Sequence, residues 1–286
     1  MNKIKYFFQF ILIIIIFFIF KVLGIKISSY IGGKFFELIG PIFRSKKIIH
    51  ENIKRAFPDI DQKKMNKINC SMWNNYGRVF AEYIFMKNFR NGDLSENIII
   101  NGLEVLEKIK KNNQKVVFVS GHFSNFELMA MQIDRLELKI AAIYRPLNNI
   151  FLNPIMERIR KKYICKNQIK KGMGGLKELM KLNKDGFSTA LMIDQRVSQG
   201  IKSKFFNTEA FTTTIPAQLA KKFNIPIVPI FIERQEALKF KMKVYEPIHF
   251  SENETIESIT LQLNKILEEM ILENPDHWIW THNRWK

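Results

Sequence analysis

The sequence predicts an α/β fold: a central mixed, mostly parallel sheet flanked by helices and preceded by an N-terminal membrane-anchor helix. Three observations carry this expectation. From Asn97 onward, short β-branched runs alternate with segments whose apolar residues recur at three- and four-residue steps. The chain has 286 residues, enough to bury a full-sized core in one large domain. Ahead of both, Tyr6–Phe20 (YFFQFILIIIIFFIF) carries no charge, and Gln9 is its one clearly polar residue.

The elements follow in order. The apolar run, extended past Lys21 to Ile25, reaches the roughly 20 residues a helix needs to cross a bilayer. No small-x-small cleavage site follows it in KVLGIKISSYIGG, so the run reads as an anchor and not as a removed leader. Lysines flank it on both sides, which leaves its orientation open, as well as whether it spans the bilayer or lies in the interface. The expected division is therefore an anchor over 1–25 and a folded domain over 26–286. Residues 26 to about 100 read as mainly helical, with Gly32, Gly33, Gly40 and Pro41 as breaks. Strands are expected at Val116–Val119, Ile140–Tyr144, Thr189–Ile193, Ile227–Ile232 and Lys239–Tyr245. Helices are expected at Asn125–Leu136, Asn153–Tyr163, Gly174–Asn183, Pro216–Phe223 and Glu254–Glu273. Strand and helix alternating in this way is the pattern of an α/β domain.

With 45 Lys+Arg against 27 Asp+Glu, the formal charge of +18 favours an anionic partner: nucleic acid, anionic lipid or an acidic protein. The plainer reading is a Lys-, Asn- and Ile-rich composition with solvated lysines. Those lysines are scattered, and neither a P-loop nor a familiar nucleic-acid motif appears, so a membrane-tethered nucleic-acid-binding protein is the weaker alternative. Cys70 and Cys165 stand far apart, and His249, His277 and His282 are not at ligand spacing with acids; no metal site is expected.

In sheets of this class, sites gather beyond the carboxyl ends of strands, and His122, Arg145 and Asp194 all follow expected strands. His122 and Glu127 straddle a strand-to-helix junction in KVVFVSGHFSNFELMAM. Two readings compete there. Ser124-Asn125-Phe126-Glu127 is S-x-x-E, a capping box that closes the first helical amides. Alternatively, Glu127 holds one imidazole nitrogen of His122 and leaves the other as a general base. With no serine or cysteine nucleophile in a recognisable elbow, such a pair suits direct activation of a substrate hydroxyl.

SGHFSNFE (Ser120–Glu127) resembles the H-x4-D/E block of the glycerolipid acyltransferase superfamily. With YRPLNN (Tyr144–Asn149) following, it is most similar to the bacterial lipid A biosynthesis acyltransferases, the lauroyl and myristoyl transferases. Four further blocks follow in the family's order: ERIRKKY (Glu157–Tyr163), LMIDQRV (Leu191–Val197), FFNTEAFTTTIPAQLAKKFNIPIVPIF (Phe205–Phe231) and NPDHWIWTHNRWK (Asn274–Lys286). The departures are Ser124 and Phe126 where glycine and tryptophan are common, Asn207 for the glycine of the F-F-G block, and Ile215 for a small residue.

The resemblance implies acyl transfer from acyl carrier protein to a hydroxyl of a phosphorylated glucosamine lipid, at the inner membrane with the catalytic domain on the cytoplasmic side. It implies no cofactor and no metal. His122 is then the base and Glu127 its partner, while Arg145, Arg158, Arg160 and Asp194 bind or position substrate. A different acceptor, such as a mannosylated phosphoinositide or a lysophospholipid, is the nearer alternative. Trp278, Trp280 and Trp285 of the last block either meet the membrane interface or pack the terminal segment on the core.

Overall fold

Helix α1 (Asn2–Phe43) opens the computed structural model, which describes residues 2–286. Its one break is Gly24, at φ 76° and ψ 162°, a conformation open to glycine because it lacks Cβ. Ser28 Oγ donates to the Phe20 carbonyl at 2.8 Å across this break. The two arms fold back there: Phe17 and Phe36 both pack on Phe80, at ring separations of 5.1 and 5.6 Å. A straight helix would hold two residues at that spacing about 28 Å apart.

The expected breaks at Gly32, Gly33, Gly40 and Pro41 are a correction, since the second arm runs through all four. Two of these glycines serve close helix contact instead. Helix α2 (Lys46–Ala56) is followed by α3 (Gln62–Glu82), and α3 lies against the second arm of α1. A Cβ at Gly32 would fall 2.6 Å from the Gly77 carbonyl oxygen, and one at Gly40 would fall 2.2 Å from the Trp73 ring.

After α4 (Met86–Asn91) the chain enters the sheet with β1 (Ile98–Asn101), α5 (Leu103–Lys111) and β2 (Val117–Ser120). It continues through α6 (Glu127–Arg135), β3 (Ile140–Tyr144), α7 (Asn153–Ile159), β4 (Asn167–Lys170), α8 (Met173–Lys184) and β5 (Ser188–Met192). A separate antiparallel hairpin, β6 (Ile201–Phe205) and β7 (Thr208–Thr212), precedes α9 (Ile215–Phe223), β8 (Ile227–Glu236), β9 (Lys239–Val244) and α10 (Ile256–Glu273). The main sheet has the order β1-β9-β8-β2-β5-β3-β4. Only the β8–β9 pair is antiparallel, so the sheet is mixed and mostly parallel as expected.

All five expected strands form. β1, β4 and the hairpin lie outside those expectations: each is short, and β4 and the hairpin strands are largely polar. The hairpin turn is Phe206-Asn207, both left-handed at φ 47° and 56°, the backbone of a two-residue type I′ connection. Asn tolerates that region, so Asn207 can close the turn without a glycine. The expected helix Asn153–Tyr163 is α-helical only to Ile159 and closes with a π-helical turn, Arg160–Ile164. Such turns recur at functional sites because they redirect one side chain.

β2 is buried along its whole length at the sheet centre, and its register with β5 ends on Ser120 opposite Met192. Two residues further on each chain stand His122 and Asp194. Sheet register thus brings these two side chains to the same level. Phe123, fully buried with its ring 4.9 Å from Phe231, pins the loop between them and the core.

Candidate active site

His122 Nδ1 lies 2.8 Å from Asp194 Oδ1, and the His122 backbone amide donates to Asp194 Oδ2 at 2.8 Å. Trp278 Nε1 donates to the same Oδ2 at 3.0 Å. Asp194 is wholly buried, whereas the His122 side chain keeps 19% of its surface open to the cleft. Burial works against an ionised Asp194, yet the charge and hydrogen bonds of His122, with Trp278, hold its carboxyl below the usual 3.8. For His122, burial disfavours the imidazolium, but Asp194 outweighs it and Glu127 adds to that pull. Against a smaller opposing effect of Arg160, the His122 pKa stands above its usual 6.5.

The partner of His122 is therefore Asp194, not Glu127. Glu127 instead accepts from Arg160 Nε at 2.9 Å and Arg160 NH2 at 2.6 Å, both on Oε1. Tyr83 OH also points at Oε1, 3.5 Å away, and the Arg160 guanidinium lies over the Tyr83 and Tyr144 rings. Glu127 reaches His122 only through its field.

The capping-box reading is also corrected. Ser124 sits at φ 43°, outside the geometry of a helix cap, and its Oγ accepts from the Arg234 backbone amide at 2.9 Å. That Oγ also lies 3.2 Å from His277 Nδ1. Burial, with Arg234 and Arg78 nearby, lowers the His277 pKa to about 4, so this histidine is a neutral bracket for the loop.

Below the loop lies a buried polar cluster that no local pattern announces. Glu82 accepts from Ser29 Oγ (2.7 Å), Asn125 Nδ2 (2.8 Å), Arg234 NH1 (2.7 Å) and Arg234 NH2 (3.0 Å). Asn75 Nδ2 donates to the Ser124 carbonyl at 3.2 Å. The loop bearing His122 is thus held from beneath by α1, α3 and β8. The spacing of Glu82 and Arg234 in sequence, 152 residues, hides the pair from any local pattern.

His122, Glu127 and Arg160 line one cleft of about 520 Å³, together with Arg145 at its mouth. Its inner wall is apolar, built from Phe118, Met129, Ile133, Ala142, Met192 and Ile230; Lys171, Gln195 and Arg196 join the polar rim. The volume suits an elongated small-molecule or acyl group, within the range of roughly 300–1,000 Å³ for ligand clefts. His282 lines the cleft as well, its pKa lowered to about 4 chiefly by burial.

Two expected substrate contacts are corrected. Arg158 is solvent-exposed and does not line the cleft, because it points from the opposite side of α7 to Arg160's turn. Asp194 is too deeply buried to touch a substrate and instead braces His122. In the last block, Trp278 and Trp280 are buried against one another at 4.6 Å, so the segment packs on the core. Arg284 is buried there too, donating to the Phe211 carbonyl and Thr212 Oγ1, with burial lowering its pKa to about 10. Among the described residues no cluster of three or more His, Cys, Asp or Glu is placed to hold a metal.

Across residues 1–286 the chain matches the family described as bacterial lipid A biosynthesis acyltransferase. It is similar to lipid A biosynthesis acyltransferase 2 of Shigella flexneri, 23% identical over 192 residues, which cover 65% of this chain and 60% of that protein. It is also similar to the lipid A biosynthesis lauroyltransferase of Escherichia coli K12, 23% identical over 85% of this chain and 79% of the relative. The palmitoleoyltransferase of the same strain is 20% identical, over 91% and 85%. Among solved structures, the 1-acyl-sn-glycerophosphate acyltransferase PlsC of Thermotoga maritima aligns with a TM-score of 0.44 and 16% identity, covering 90% of this chain and all of that one.

Proposed function

Because the chain belongs to the bacterial lipid A biosynthesis acyltransferase family, we propose that it moves a fatty acyl chain from an acyl carrier protein thioester to a hydroxyl of a lipid A precursor. It works while anchored at the inner membrane, with its catalytic domain on the cytoplasmic side. The single observation that carries the reading is the Asp194–His122 pair opening on an apolar cleft beside Arg160.

Asp194 takes the proton-bearing Nδ1 of His122, so Nε2 is left as the acceptor facing the cleft. His122 removes the proton of the acceptor hydroxyl as its oxygen attacks the thioester carbonyl. The tetrahedral intermediate then collapses, the C–S bond breaks, and the leaving thiolate takes the proton back from the His122 imidazolium. The raised pKa of His122 matches this two-way use. Arg160, fixed by Glu127 through Nε and NH2, keeps NH1 for a phosphate or the developing oxyanion. Arg145, Lys171 and Arg196 at the rim suit an anionic acceptor, and the apolar wall suits the acyl chain.

The test is transfer in detergent with acyl carrier protein thioesters and a tetra-acylated phosphoglycolipid, read by mass spectrometry for wild type and His122→Ala. A one-acyl mass gain in wild type, absent from the folded variant, is expected. No gain in wild type across several chain lengths refutes the acceptor or the donor. Equal gain in both proteins refutes the base.

A further inference from the structure

We propose that the trough between α8 and α9 is where the carrier protein that brings the acyl group docks, and that it takes an acidic, amphipathic helix of that partner. This rests on the acyl carrier protein donor proposed above and adds where the donor seats.

The trough holds about 750 Å³. Leu176 and Met180 of α8 and Ile215 and Leu219 of α9 give it an apolar floor, with Leu176 still 46% exposed. Lys177, Lys181 and Lys184 stand on the α8 side at steps of four and three, which is one face of a helix, and Lys222 stands on the α9 side. Among the described residues, no acid lines the trough. Glu178, the one acid within α8, stands outside it, and its charge is felt at Tyr144 of β3.

These four cations are left uncompensated. Elsewhere on the surface Lys110, Lys202 and Lys243 find Glu137, Glu209 and Glu273 within 3.3 Å. Lys221, beside Lys222, donates to the Glu252 and Glu254 carbonyls and so ties α9 to the loop before α10. Among the described residues, no acid comes within ion-pair distance of Lys177, Lys181, Lys184 or Lys222. Like charges one helical turn apart repel, a cost that an acidic partner relieves. The shape selects the kind of partner. An apolar floor between cationic flanks is complementary to a helix whose apolar stripe is bordered by Asp and Glu. From Leu176 to Lys184, α8 offers about 12 Å of wall, a little over two turns of such a helix. A flat lipid surface would reach the lysines and leave the floor uncovered.

Position links the trough to the chemistry. β4, β3, β5, β2 and β8 all run in one direction. α8 leaves the carboxyl end of β4 and returns to the amino end of β5, while α9 leads into the amino end of β8, so both helices start toward the sheet end that bears His122. Ile215, the first residue of α9, lines the trough and the cleft alike. Lys171, two residues ahead of α8, stands on the cleft rim. A carrier seated in the trough thus holds the root of its phosphopantetheine arm beside the cleft mouth, and Lys171 meets the phosphate of the arm.

The experiment compares wild type with Lys177→Glu/Lys181→Glu, two exposed positions outside the cleft. Acyl transfer is measured from the acyl carrier protein thioester and from the matching pantetheine thioester. Binding of fluorescently labelled carrier protein is read by anisotropy, and thermal melts confirm folding. The variant should raise KM and Kd for the carrier by about tenfold or more, with kcat and the pantetheine-thioester rate unchanged. A carrier with two acids of one helix changed to Lys should recover part of that loss, and salt should weaken binding to wild type more steeply than to the variant. Unchanged KM and Kd in the folded variant would overturn the docking site and leave the donor standing. A variant that keeps its carrier affinity but leaves phosphatidylglycerol vesicles would give the lysines to lipid and overturn it as well. Wild type that turns over the pantetheine thioester and not the carrier thioester would refute the donor reading itself, and the docking site with it, before any variant is compared.

Discussion

Asp194→Asn is the substitution that most sharply separates the observed site from a His–Glu pair. Asp194 Oδ2 accepts two N–H groups, from the His122 backbone and Trp278, while Oδ1 meets His122 Nδ1. An asparagine here has one carbonyl and one NH2. If its NH2 takes the Oδ2 place, it confronts two buried donors, each left unsatisfied at about 1–3 kcal/mol. The amide therefore turns its carbonyl to those two and its NH2 to Nδ1. His122 must then accept at Nδ1, its proton moves to Nε2, and the nitrogen facing the cleft can no longer take one. Loss of general-base catalysis is worth about 10²–10⁴-fold, which is about 2.7–5.4 kcal/mol of barrier.

Glu127→Gln behaves differently. Its carbonyl still accepts from Arg160, so only the field at His122 changes, and the loss should be several-fold smaller than for Asp194→Asn. The assay is the initial rate of acyl transfer against pH for wild type and both variants, with thermal melts to confirm folding. Asp194→Asn should flatten the rise of rate with pH, whereas Glu127→Gln should shift it to lower pH and keep its shape. An Asp194→Asn enzyme within tenfold of wild type, or a Glu127→Gln enzyme more impaired than it, would falsify the assignment of Asp194 as the group that sets the tautomer.

Stability and activity should part company with pH. Asp194, held below its usual 3.8, stabilises the fold above that value and loses its contribution as pH falls through its folded pKa. His122, held above 6.5, stabilises fully below 6.5 and loses this as pH rises through its folded pKa, where activity gains. The Tm gap between wild type and His122→Gln should be widest between these limits and narrow at alkaline pH. Arg234→Met strands the buried Glu82 carboxylate and should cost about 3–5 kcal/mol in denaturant titration, with Glu82→Leu/Arg234→Met recovering a good part of it. Gly77→Ala places Cβ 1.9 Å from the Gly32 carbonyl oxygen and should cost at least about 1–3 kcal/mol. Gly174→Ala, with open space at its Cβ inside α8, should stabilise by about 0.4–1 kcal/mol.

How far the sequence could be read depends on the range of the interaction behind each feature. The apolar runs of β2 and β8 announce their strands because burial on both faces needs no distant partner to be recognised, and β9 announces its own by alternation. The hairpin at 201–212 escapes because IKSKF and TEAFT are half polar, and what fixes them lies elsewhere: Arg284 and Trp285, which bond to Thr212 and Phe205 from the chain's end. The glycines of α1 mislead for the same reason. Gly32 and Gly40 look like breakers until Gly77 and Trp73 are known to lie against them, while Gly24, alone at positive φ, sits in the most helix-like stretch of the chain.

The site obeys the same rule. Placement of His122, Arg145 and Asp194 at strand ends is legible, because strand ends are local features. Pairing is not, because it is set by register between strands separated in sequence. Ser120 lies opposite Met192, and two further residues on each chain put imidazole and carboxylate face to face. The same parallel pairing leaves Glu127 at the start of α6, one helical turn removed, where the π turn delivers Arg160 to it. A motif of a histidine and an acid five residues apart therefore encodes two ion pairs and not one. Its histidine finds its carboxylate across the sheet, and its glutamate fixes a cation that lines the cleft. Charge on Glu127 still raises the basicity of His122 through space, so both acids act on one base, one by contact and one by field.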